Sequence, residues 1–119
     1  MIKQRVLFLL ATLVLGVSSA MADTPAPAPM QRYVIERVIP GAGKMTADQL
    51  RAAAAKSNKV LMELGPDIQW VQSYVTGDKL YCVYNARSEE VIKRHAERSG
   101  FPASHISAVT AVIDPTTAH

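Results

Sequence analysis

Ile68 to Asn85, IQWVQSYVTGDKLYCVYN, sets two runs of β-branched and aromatic residues on either side of Thr76-Gly77-Asp78. Runs of this composition read as strands, and the three turn-forming residues between them suit a tight hairpin. Ile68–Val75 and Lys79–Asn85 are therefore expected to be antiparallel neighbours. On the N-terminal side, Gly65-Pro66 ends a helical pattern in which Leu50, Ala53, Ala54, Ser57, Leu61 and Leu64 recur on one face. Thr46 stands three residues before Gln49, a capping-box spacing, so this helix is predicted over Ala47–Leu64. On the C-terminal side, Ser88 precedes Glu89 and Glu90, where negative charge meets the positive end of a helix dipole. That second helix is predicted to reach Ser99, before Gly100 and Pro102.

Two further β-type runs complete the pattern. Arg32–Val38 leads into the turn-rich Pro40-Gly41-Ala42-Gly43, and Ile106–Ile113 closes at Asp114-Pro115. The order β-α-β-β-α-β predicts an α+β, ferredoxin-like sandwich, with two helices on one face of a four-stranded antiparallel sheet. The other sheet face is left uncovered. Four tyrosines and Trp70, mostly on strands, make a second copy the expected cover, so a homodimer is predicted.

Ahead of this domain lie Lys3 and Arg5, an apolar run from Val6 to Val17, and the small-residue ending Ala20-Met21-Ala22. These are the parts of a secretory signal, with cleavage expected after Ala22, and the apolar run is shorter than the ~20 residues of a membrane-spanning helix. Residues 1–22 are thus read as signal peptide, 23–30 (DTPAPAPM) as a Pro-rich linker and 31–119 as the folded domain. The mature chain is expected to be periplasmic or secreted, without stable membrane association. Losing Lys3 and Arg5 takes 13 basic residues to 11 against 10 acidic ones, a net charge of +1. Nucleic acid is therefore not an expected partner, since no basic stripe is present to neutralise phosphates. Cys82 is the single cysteine, so no intrachain disulfide forms and packing alone must hold the fold.

Ile35-Glu36-Arg37, Trp70 to Val75, Cys82-Val83-Tyr84, His95 to Gly100 and Val112 to Pro115 occur in this order and spacing. Together they resemble a family of small bacterial proteins filed as a domain of unknown function, which has a nickel-binding, dimeric ferredoxin-like member. The resemblance spans Gln31 to Pro115. It implies a ferredoxin-like dimer and a divalent metal site, with nickel the named ion, and it implies no catalysed reaction.

The candidate ligands follow from residue chemistry. Glu36 shares its side of the pleat with Val34 and Val38, so its carboxylate needs a partner: a metal ion, a proton to abstract as general base, or an arginine such as Arg37 of a second copy, the remaining alternative being partial exposure at the sheet edge. His95 lies on the helical face of Val91 and Ile92, and neutral imidazole suits nickel, zinc or copper; the alternative is a histidine bonded to a backbone carbonyl. Cys82 is a small apolar core residue or, if it faces the open side of the sheet, a soft ligand or a redox-active thiol. His105 stands in the loop before the last strand, either near His95 or in solvent, and His119 ends an unanchored tail. Trp70, Gln72 and Tyr74 alternate on one strand face, with Tyr84 across the hairpin, forming a ligand cleft or a dimer face. Ser73 has no nucleophile elbow around it. The leading expectation is an exported dimer that binds a divalent transition metal through Glu36, His95 and Cys82. The alternatives are a cofactor-independent small-molecule enzyme, isomerase or monooxygenase-like, by fold analogy, and a small-ligand-binding module.

Overall fold

The computed structural model describes residues 11–18 and 25–119. The charged start of the signal and its cleavage site after Ala22 lie outside the described residues. Among these residues no helix is long and apolar enough to cross a membrane.

The elements follow in the order β1 (Gln31–Val38), α1 (Ala47–Leu64), β2 (Ile68–Val75), β3 (Lys79–Ala86), α2 (Glu89–Ser99) and β4 (His105–Ala108). All strand pairs are antiparallel, and the sheet order is β2-β3-β1-β4. This is the ferredoxin-like α+β arrangement expected from the sequence. Both helices start on side-chain caps. The Thr46 hydroxyl accepts from the Gln49 amide at 3.2 Å while the Gln49 side chain accepts from the Thr46 amide at 2.9 Å, and Ser88 accepts from Val91. At the end of α2, Gly100 adopts φ 77°, a left-handed conformation that a side chain would strain.

Strand alternation decides what each residue faces. Tyr33, Ile35 and Arg37 of β1 are buried, as are Cys82, Tyr84 and Ala86 of β3, and they meet Val91, Ile92 and His95 of α2 and Ser57 and Val60 of α1. The opposite face carries Val34, Glu36 and Val38 of β1, Tyr81 and Val83 of β3, Gln72 and Tyr74 of β2, and His105 and Ser107 of β4. No helix covers it. Tyr74 and Val38 are roughly half exposed there.

β4 is shorter than the run Ile106–Ile113 suggested. Its register against β1 ends at Tyr33↔Ala108, and Val109 donates a last bond to the Arg32 carbonyl. Beyond that point β1 itself gives way to a chain containing Pro27 and Pro29, which lack the amide donors a ladder requires. β-branched residues without a partner strand remain irregular, and Val112 and Ile113 are exposed.

Candidate functional site

The uncovered sheet face brings together the charged and polar groups of all four strands. Glu36 is directly opposite Tyr81 on β3 and His105 on β4, and Tyr74 of β2 is opposite Tyr81 in turn. A row His105, Glu36, Tyr81, Tyr74 therefore crosses the whole sheet. Lys79, two residue pairs along and opposite Val38, forms an ion pair with the Glu36 carboxylate. The hydrogen bond from Lys79 holds the Glu36 carboxyl below the usual carboxylate range, with the charges of Lys79 and His105 adding to it against a desolvation that acts the other way. The same bond raises Lys79. Glu36 is thus a carboxylate at neutral pH, and its partner is the Lys79 ammonium.

Inside the sandwich the chemistry is different. His95 is fully buried; its Nε2 is hydrogen-bonded to Ser57 Oγ at 3.0 Å, and its Nδ1 has no partner. Burial, assisted by the nearby Arg37 charge, lowers its pKa to about 4, so the ring is neutral in ordinary buffers. The Tyr84 ring lies 5.5 Å from the His95 ring, and burial pushes the Tyr84 phenol up. Arg37, only 1% exposed, donates from Nη1 to the carbonyls of Phe101 and Pro102 at 3.2 and 3.0 Å, while its Nη2 is buried without a partner. Its guanidinium carbon is 5.9 Å from the Tyr84 ring centre. Backbone carbonyls and a ring face satisfy part of this cation, but no carboxylate pairs with it among the described residues.

Arg37, Ser57, Cys82 and Tyr84 line one side of a cavity of about 430 Å³ between α1 and the sheet. The rest of its wall is mainly apolar, including Leu50 and Ala54 of α1, Trp70 and Val75 of β2, Leu80 of β3 and Phe101 of the loop before β4.

Two sequence expectations are corrected here. Glu36, His95 and Cys82 do not converge, because Cys82 is the cross-strand partner of Ile35, so the next residue, Glu36, necessarily points to the opposite face. His95 is on the same side as Cys82, within the core. No group of three or more His, Cys, Asp or Glu side chains able to hold a metal ion occurs among the described residues. Nor do Trp70, Gln72 and Tyr74 share a face. The β2 register slips between Trp70 and Gln72, and Val71 is the extra residue of a bulge, so Trp70 turns inward opposite Tyr84 while Gln72 and Tyr74 turn outward opposite Val83 and Tyr81. Trp70 Nε1 accordingly donates to Ser73 Oγ at 2.9 Å on the inner side, and Gln72 donates to the Tyr74 hydroxyl on the outer side.

Sequence reasoning passed over Arg37 and Ser57 as site residues. Arg37 could have been found by parity alone, since it falls in step with Tyr33 and Ile35 on β1. The pairing of His105 with Glu36 could not, because it depends on which strand β4 joins.

The family model described as nickel responsive protein SCO4226-like matches residues 33–109, and the chain belongs to that family. The crystal structure of SCO4226 from Streptomyces coelicolor A3(2) superimposes with a TM-score of 0.59 at 22% identity, covering 69% of this chain and 99% of that one. At that identity the likeness is one of fold. No curated protein sequence matches the chain.

Proposed function

We propose that this member of the nickel responsive family is an exported dimer that binds nickel(II) on the uncovered sheet face, with Glu36 and His105 as the ligands each chain supplies. The observation that carries the reading is the direct cross-strand pairing of Glu36 with His105 on that face. A carboxylate oxygen and an imidazole nitrogen are donors that suit nickel, and mixed nitrogen and oxygen sets favour its tetragonal geometries. Two donors leave the coordination incomplete. A second copy packed against the same face adds an equivalent pair, and this pairing also buries Tyr74, Tyr81 and Val38. Metal binding and dimerisation are in this reading one event.

Export is supported by the signal-like residues 1–22, and it fits a chain whose lone cysteine is buried in the core. His95 and Cys82 are set aside as ligands because both lie inside the sandwich, behind the sheet from Glu36.

The reading is tested by nickel titration of the mature, untagged protein, followed by calorimetry and thermal melting. Wild type and the tail variant His119→Ala are expected to bind with a rise in melting temperature, and Glu36→Gln and His105→Ala to lose both. Equal nickel binding by wild type and His105→Ala would place the ligands elsewhere.

A further inference from the structure

We infer that the cavity between α1 and the sheet is a binding site for a small apolar monocarboxylate, with the buried Arg37 guanidinium as the group that receives its head. This site is on the other side of the sheet from the proposed nickel ligands and is independent of them.

Three observations converge on this class of ligand. The cavity, at about 430 Å³, falls within the roughly 300–1,000 Å³ of known small-molecule sites. Its wall is largely hydrocarbon, which selects an apolar body. Its one charged lining residue is Arg37, which is 1% exposed, makes no salt bridge among the described residues and keeps Nη2 unbonded. A guanidinium taken out of water without a counter-charge is costly, and a single carboxylate both neutralises it and accepts from the free nitrogen. No neighbouring side chain supplies that charge: Tyr84 is held in its neutral phenol form, His95 is neutral, and Ser57 offers only a hydroxyl.

The same charge argues against a metal ion in this cavity. A fixed cation on the wall repels a second one, even with the Cys82 thiol nearby. A ligand with two or three negative charges is disfavoured as well, since the apolar wall cannot solvate what Arg37 leaves unpaired. One negative charge on an apolar body matches the cavity as built.

The test uses octanoate as probe, with octanamide and octylamine as neutral and cationic counterparts of equal length. Trp70 is the single tryptophan and lines the cavity, so its fluorescence reports occupancy. Octanoate is expected to change that fluorescence and raise the melting temperature of the mature protein, with octanamide at least ~10-fold weaker, as a lost charge-assisted hydrogen bond implies. Octylamine is expected not to bind. Arg37→Met keeps length and packing and should bring octanoate down to the octanamide level, while Ala54→Phe fills the cavity and should abolish both. Glu36→Gln should leave octanoate binding unchanged, which separates this site from the nickel reading. Equal binding of octanoate and octanamide by wild type would overturn the role of Arg37, even if Arg37→Met fails to fold, and undiminished octanoate binding by Ala54→Phe would overturn the cavity.

Discussion

Ser57 of α1 and His95 of α2 meet through a hydrogen bond of 3.0 Å between Oγ and Nε2, joining the two helices within the layer that packs on the sheet. Because the imidazole is fully buried beside Arg37, it is neutral in the folded protein down to about pH 4.

Stability should therefore depend on pH through His95. Between the ordinary histidine value of 6.5 and the folded value of about 4, the unfolded chain takes up a proton that the folded chain refuses. The stability present above pH 6.5 is thus lost progressively as the pH falls towards 4, by on the order of 3 kcal/mol in all. Urea unfolding of wild type at several pH values is expected to show this slope, and His95→Asn to flatten it. A wild-type slope unchanged in the variant would assign the effect to other groups.

The hairpin turn between β2 and β3 offers a steric prediction. Gly43 donates to the Gly77 carbonyl at 2.9 Å, and a Cβ on Gly43 would come within 3.0 Å of Gly77 Cα and the Thr76 carbonyl oxygen. A Cβ on Gly77 meets nothing within 4 Å. Gly43→Ala is expected to cost about 1–3 kcal/mol, as overpacking against backbone does, and Gly77→Ala to stay within about 0.5 kcal/mol of wild type. Thermal denaturation of the two variants side by side checks the contrast.

Lys79 occupies the Glu36 carboxylate that the proposed nickel site needs. Nickel must displace it. Lys79→Met is expected to tighten nickel binding by roughly two- to fivefold, the scale of one partly exposed ion pair. Calorimetric titration that shows weaker binding in Lys79→Met would argue that nickel binds away from Glu36.

Tyr81 lies near the middle of the uncovered face, opposite Glu36 on one side and Tyr74 on the other. If two copies pair through this face, the mature protein sediments as a dimer and Tyr81→Glu sediments as a monomer with an unchanged circular dichroism spectrum, because buried like charges oppose association. A monomeric wild type, with and without nickel, would remove the second half of the proposed coordination.

Element types and order were legible in the linear chain because their causes are local. Thr46 with Gln49, Ser88, Gly65-Pro66 and Gly100 punctuate the helices through backbone geometry and hydrogen bonds that act over a few residues. The hairpin is likewise announced by Thr76-Gly77-Asp78, and its strands by their side chains. From the order β-α-β-β-α-β the ferredoxin-like sandwich follows, since few topologies pack such a string.

Which side chains meet was decided only by tertiary structure. One bulged residue, Val71, sends Trp70 and Tyr74 to opposite faces, and nothing in the alternation of Ile68–Val75 announces it. The partition of Glu36 from His95 and Cys82 comes from the register of β1 against β3, and the meeting of Glu36 with His105 from the pairing of β4 with β1. The length of β4 is set in the same way, by where its partner ends. Sequence patterns record how each segment behaves alone, whereas register, bulges and the interior around Arg37 arise from contacts between segments far apart in the chain.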